Sequence, residues 1–259
     1  MSESVVFPAP ASAAALPTPL VVVDLVWPDQ SNHHGTLFGG AALAMLDRLA
    51  FIMGSKALRG AVVTAAVGRL DFASPAPAGF AVECQARVLQ RGRRSATVEA
   101  SLTAEDLLSG ERVHCLRGEF VMVRQAGTEP ATAIAPEAAD GPADGASPAG
   151  WARVAEIVFP GHANHRGVLH GGPAMAWMAK AGFVAATRQV RRSVVMAASE
   201  RMDFVAPAVV GDVVEVTARV TGTGQRSVRV QVELWAESPV TGGRHRCTSA
   251  ELVYVAVDA

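Results

Sequence analysis

Asp47 is the residue whose chemistry stands out first. It is a carboxylate within Ala41 to Leu58, a run that is otherwise apolar almost all round and reads as a buried helix. A carboxylate on such a helix is costly unless it is paired or functional. Two glycine pairs, Gly39-Gly40 and Gly171-Gly172, stand where helices would begin. The N–H groups at a helix start have no intrahelical acceptor, and the helix dipole favours negative charge beside them. Such amides can stabilise an oxyanion growing on a polarised carbonyl. An acid facing them can serve as a general base or as a nucleophile. A free aspartate, with a pKa near ~3.9, is a weak base, and burial raises that value.

One helix cannot supply both partners. Gly39 and Asp47 are eight residues apart, an axial rise of about 12 Å. A reacting carbon must lie about 3 Å from both the amide donor and the attacking group. The acid therefore needs a second helix start opposite it, and the sequence contains one. The chain is a domain written twice at a constant offset of 132 residues. Asn32-His33 falls on Asn164-His165, Gly39-Gly40 on Gly171-Gly172, Asp71-Phe72 on Asp203-Phe204, and Arg94-Ser95 on Arg226-Ser227. At the position of Asp47 the second copy has Ala179. If the copies pair by a pseudo-twofold, the working site joins Asp47 to Asn164, Gly171 and Gly172.

The elements that must position these residues follow from pattern. Each copy opens with a short apolar strand, Leu20 to Trp27 or Val154 to Phe159, followed by a polar loop and a helix, Ala41 to Leu58 or Pro173 to Gln189. Pro173 at the first helical position suits that place. The rest alternates with period two: Val82, Cys84, Ala86 and Val88 against Glu83, Gln85 and Arg87, and likewise Val214 to Val220. That alternation predicts antiparallel strands with one covered face. The expected class is α+β, with a curved antiparallel sheet around one long central helix in each copy. The expected boundaries are a disordered arm at 1–19, a first domain at 20–125, an Ala-, Pro- and Gly-rich linker at 126–150, and a second domain at 151–259.

Composition narrows the partners. The formal net charge is −1 and 18% of residues are charged, which does not favour nucleic acid. Cys84, Cys115 and Cys247 are widely spaced without a metal-ligand pattern, consistent with inert thiols in a reducing compartment. No apolar run reaches a membrane span, and the first residues lack the basic start of a signal peptide. The expectation is a cytoplasmic protein with no metal and no membrane partner.

The stretch Asn32-His33-His34-Gly35-Thr36-Leu37-Phe38-Gly39-Gly40, with Asp47 seven residues on, resembles the hotdog acyl-CoA thioesterases. His170-Gly171-Gly172 in the second copy is similar to the phenylacetate-type branch of that superfamily. The resemblance spans both copies and implies two tandem hotdog domains. It implies that asparagine and glycine polarise a thioester carbonyl while the acid activates water or attacks. It also implies one competent site and one degenerate site of Asn32, Gly39, Gly40 and Ala179. The implied substrate is an acyl-CoA, with coenzyme A as part of the substrate and no further cofactor. A homo-oligomer of double-hotdog units is expected.

Each residue has a plainer reading beside this one. Asp47 could be an interface polar group paired with Arg48. Asn32 and Asn164 could be cap or turn residues. His165, like His33, could be structural, and His170 could contact substrate or simply pack. Arg94 and Arg226 could touch the CoA phosphates or be solvated surface. Trp27, Trp151, Trp177 and Trp235 read as core or interface residues, and Phe51, Met53 and Met175 as tunnel lining. The rivals at the level of function are a non-catalytic acyl-CoA-binding module and a hotdog enoyl-thioester hydratase.

Overall fold

The computed structural model describes residues 16–125 and 149–257. Residues 1–15, most of the expected linker (126–148) and 258–259 lie outside the described residues.

In the first copy, β1 (Leu20–Leu25) leads through a short 3₁₀ turn into α1 (Gly39–Leu58). Then come β2 (Val62–Val67), β3 (Leu70–Phe72), β4 (Ala81–Arg91), β5 (Ser95–Glu105) and β6 (Arg112–Arg124). The second copy repeats this order with β7 (Trp151–Ile157), α2 (Gly171–Val190), β8 (Val194–Ser199), β9 (Met202–Phe204), β10 (Val213–Thr223), β11 (Ser227–Glu237) and β12 (Arg244–Ala256).

The strands form because valine and alanine alternate with polar residues, so each strand has one covered face; in β5 every second residue is buried. All pairings are antiparallel, and the halves do not remain two sheets. β2 pairs with β9 and β3 with β8, so the two curved sheets fuse into one of twelve strands with β1 and β7 at its ends. The two helices lie against one another, α1 on β4 and β5, α2 on β7, β10 and β11. This is the tandem hotdog layout, α+β as the period-two alternation required.

Three details differ from the sequence-based expectation. β1 stops at Leu25 rather than Trp27, and β7 covers Trp151–Ile157 rather than Val154 to Phe159; the pairing of Trp151 with Arg219 starts the ladder early. Both helices begin at the glycine pair, so Pro173 is the third helical residue, still in the turn whose N–H groups lack intrahelical acceptors. Trp27 is exposed at 52%, whereas Trp177 and Trp235 are buried and Trp151 is half-buried. Past Leu25 the chain leaves the sheet, and Trp27 stands at the entry to the 3₁₀ turn.

Two features fix the helix positions. Both helices end on an arginine in the left-handed region, Arg59 at φ 50° and Arg191 at φ 52°. Inside the second copy, the Tyr254 hydroxyl donates to the Ala179 carbonyl at 2.7 Å and lies over Gly182. A Cβ on Gly182 would sit 2.6 Å from that hydroxyl, closer than atoms approach. Gly182→Ala is therefore expected to cost about 1–3 kcal/mol by overpacking. The check is the urea midpoint, with Gly161→Ala, whose added Cβ meets nothing within 4 Å, as the control that stays in place.

Candidate active site

The fold brings the second glycine pair to the acid on the first helix. Asp47 is 1% exposed. Its Oδ1 accepts the Thr64 hydroxyl at 2.7 Å, and its Oδ2 accepts the Gly172 N–H at 2.7 Å. The acid stands on α1, and its partners come from β2 and the start of α2. Burial raises the Asp47 carboxyl above its ordinary value, while Thr64, Gly172 and nearby His170 act against that rise by favouring the anion. The anion also lies at the positive end of the α2 dipole.

Both glycines are required by close approach. A Cβ at Gly171 would lie 2.8 Å from Asp47 Oδ1 and 3.0 Å from Thr64 Oγ1; one at Gly172 would lie 3.0 Å from Ala44 Cα on α1. Any side chain at either position would push α2 off the acid. Gly171 N–H has no acceptor among the described residues.

Asn164 is buried in the loop before α2. Its Oδ1 accepts the backbone N–H groups of Arg166, at 2.9 Å, and Val168, at 3.2 Å, so it does serve as a turn residue. Gly167 gives the loop its reversal at φ +73°, a region open to glycine at no steric cost. The amide end is different. Asn164 Nδ2 makes no hydrogen bond among the described residues. In the first copy Asn32 Nδ2 is taken by Thr36 Oγ1 at 3.0 Å, because the residue matching Val168 is Thr36.

Beside Thr64, the donor to the acid, is an apolar cavity of about 270 Å³ with walls from both copies, including Val63, Val123, Val168, Phe204 and Leu234; Asp47, Asn164, Gly171 and Gly172 are not among its lining residues. Gln125 also lines it, and its Oε1 is buried without a hydrogen-bond partner among the described residues.

The remaining expected residues are placed as follows. His170 caps α2 without a side-chain cap bond and stacks edge-on against Phe51 at 4.7 Å. Burial lowers its pKa, which holds the ring toward neutrality despite the pull of Asp47. His165 is exposed and does not line the cavity. Arg94 is exposed, and its carbonyl accepts the N–H of Arg124, between the cavity-lining Val123 and Gln125. Arg226 is held the same way to Ala256, between Val255 and Val257, which line a different cavity. The two arginines therefore flank separate pockets. Met53 and Met175 are sealed in the core and Phe51 packs on His170, so none of the three lines the cavity. Arg48 is exposed and makes no ion pair with Asp47, whose partners are Thr64 and Gly172.

In the first copy, Asn32 and Gly39 line the second cavity and Gly40 packs against Ala179. Met196 takes the place of Thr64 there.

Sequence reasoning missed Thr64, Val168 and Gln125. Each differs from its partner at the 132-residue offset, where Met196, Thr36 and Val257 stand. That was the available signal: with Ala179 marking a changed site, other mismatches near it mark the rest. The three buried cysteines carry no such role; burial pushes Cys84 and Cys247 up to about 12, and Cys115 in the same direction.

Comparison with known proteins agrees with the repeat. The thioesterase superfamily model matches the chain twice, at residues 34–111 and 166–242, together more than half of it. The chain is 34% identical over 127 residues to the cytosolic acyl coenzyme A thioester hydrolase of Homo sapiens, covering 47% of this chain and 33% of that one. It is 26% identical to acyl-coenzyme A thioesterase 11 of Mus musculus, over 93% of this chain and 48% of that one. It thus spans between a third and a half of these curated relatives. Among solved structures, an acyl-CoA hydrolase from Agrobacterium tumefaciens is 41% identical, covering 93% of this chain and 96% of that one, with a TM-score of 0.43. An acyl-ACP thioesterase from Bacteroides thetaiotaomicron shares the fold at 11% identity, with a TM-score of 0.58 over 91% of this chain and 97% of that one. The chain belongs to the thioesterase superfamily, with two copies of its domain in tandem.

Proposed function

We propose that the protein hydrolyses acyl-CoA thioesters to free acid and CoA at one site, built from both copies. The observation that carries this reading is the 2.7 Å hydrogen bond from Gly172 N–H to Asp47, which sets the acid of one copy against the helix start of the other.

The roles divide by which donors are already engaged. Gly172 and Thr64 hold the two oxygens of Asp47, so Gly172 positions the acid. The donors left over are Gly171 N–H and Asn164 Nδ2, and these receive the thioester oxygen as it becomes an oxyanion. Asp47 takes a proton from water, the hydroxyl adds to the carbonyl carbon, and the C–S bond breaks with the proton passing to the departing thiolate. The apolar cavity takes the acyl group. Gln125 Oε1 accepts from an amide N–H of the pantetheine arm, and Arg94 with Arg124 lies where the phosphates leave the pocket. His170 packs the acid's surroundings in its neutral form. No metal or redox group enters these steps.

The setting proposed is the cytoplasm, as the printed name of the human relative suggests for that protein; no helix among the described residues is long and apolar enough to cross a membrane. Exposed Val21 and Val23 on β1, with Trp27 just past its end, support further assembly of double-hotdog units, which light scattering will size.

Thiol trapping with a panel of acyl-CoA substrates should show CoA release by the intact chain. Asp47→Asn should lower kcat by at least about a hundredfold with the circular dichroism spectrum unchanged. A single turnover in oxygen-18 water should leave Asp47 unlabelled; label in its carboxylate would replace the general-base route by direct attack. Val168→Thr should capture the Asn164 amide as Thr36 captures that of Asn32, and lower kcat roughly tenfold with little change in KM. Full activity in that variant would remove Asn164 from the oxyanion role.

The raised Asp47 pKa sets two pH dependences. Activity requires the anion, so the acidic limb of kcat/KM should lie above the 3.8 of an ordinary aspartate. The folded state binds this proton more tightly than the unfolded chain, so the contribution to stability is full below that value and is lost as pH rises through the folded pKa. The melting temperature of Asp47→Asn relative to the parent should therefore climb from acid to neutral pH.

A further inference from the structure

The second cavity, the pseudo-symmetric counterpart of the Asp47 pocket, is larger than its twin, at about 340 Å³ against 270 Å³. Its walls match at the same offset: Leu37 for Leu169, Phe72 for Phe204, Leu102 for Leu234, Val195 for Val63. What differs is the floor. A Cβ placed on Gly39 would meet the Met196 methyl at 2.6 Å, and one on Gly40 would meet the Ala179 methyl at 3.1 Å. A thioether and a methyl group thus fill the space that hydroxyl and carboxylate occupy in the other half. The residue matching Asp47 is Ala179, so the acid of the other half has no counterpart here.

The pocket has lost its acid without closing. An empty apolar cavity lowers stability, and larger wall residues would fill it. Its mouth carries a basic groove of its own. An open groove lined by His33, Arg188, Arg191, Arg192 and Ser193 adjoins the cavity and shares Phe183 with it. Both His33 and His34 bond the Ser193 hydroxyl, which ties the groove to the cavity wall. In the Asp47 half, Lys56 and Arg59 stand where Arg188 and Arg191 stand here, and Gly60 and Ala61 stand where Arg192 and Ser193 stand. An apolar chamber beside a cluster of guanidinium groups suits a ligand with a hydrocarbon part and several phosphates.

We propose that this cavity is a second acyl-CoA site, one that binds its ligand and does not hydrolyse it. The identity of the ligand rests on the thioesterase reading of the Asp47 pocket; the cavity and its arginine groove do not.

The test is calorimetry on the full chain with an acyl-CoA analogue in which methylene replaces the thioester sulfur, so that the carbonyl remains and hydrolysis cannot occur. Two molecules per chain are expected. Ala197 and Ala65 are half-buried residues facing the two cavities at matching positions. Ala197→Phe should remove one bound analogue and leave CoA release unchanged, whereas Ala65→Phe should remove the other and abolish release. Arg191→Asn with Arg192→Gln, surface changes of which the first keeps a residue tolerant of the left-handed region, should weaken one of the two sites about tenfold. A single analogue per chain that survives Ala197→Phe and is lost in Ala65→Phe would overturn the second site. So would two analogues of which neither responds to Ala197→Phe or to the arginine pair. Failure of the intact chain to release CoA from any substrate would sink the thioesterase reading alone, since loss of one analogue in Ala197→Phe is read independently of turnover.

Discussion

A carboxylate in a nearly waterless interior must be met by donors, and the donors of its own helix start lie about two turns away. That constraint organises the molecule. Asp47 is met by Thr64 from the neighbouring strand and by Gly172 from the other copy's helix. For Gly172 to reach it, α2 must approach α1 almost to backbone contact, which is why Gly171 and Gly172 carry no side chains and why Ala44 faces Gly172. For the helices to hold that distance, the two sheets are joined, through β2 with β9 and β3 with β8, into one continuous surface. The bond that holds the acid and the joint between the copies depend on one another.

The repeat makes the site's requirements readable by subtraction. The two halves share walls, loops and helix caps, down to the arginine in the left-handed region that ends each helix. They differ where chemistry would differ: Asp47 against Ala179, Thr64 against Met196, Val168 against Thr36. The register shifts beside Ala65 and Ala197 are alike in the two copies, so the same irregularity aims a hydroxyl at an acid in one half and a thioether at a glycine in the other. Each substitution alone would impair a site; together they turn a polar floor into a dry one while leaving the chamber above it.

Much of this was legible before any coordinates. The constant offset, the apolar helices and the period-two strands determine a tandem α+β fold, and the rise of a helix is enough to show that Asp47 and Gly39 cannot share a carbonyl. Thr64 was not legible, because a threonine in a valine-rich strand looks like ordinary strand composition, and only the shift beside Ala65 turns it to the acid. The division of labour between the glycines was hidden as well, since which N–H is taken and which is left open depends on the relative position of two helices, not on spacing within one. Arg94 and Arg226 looked equivalent by repeat; the topology sends their strands to opposite pockets. Trp27 was misjudged because hydrophobic character says nothing about where a strand ends.

The hydrogen bond between Asp47 and Gly172 joins residues 125 apart in sequence. During synthesis the acid is therefore made long before the amide that holds it. A ribosome-bound first half carries a carboxyl group whose second donor has not been translated, and a sheet whose β2 margin has nothing to pair with. Competence of the pocket thus coincides with docking of the late-made half on the early-made one, and contacts this remote in sequence are slow to form. Formation of the Asp47–Gly172 bond during refolding is a clock for that docking step.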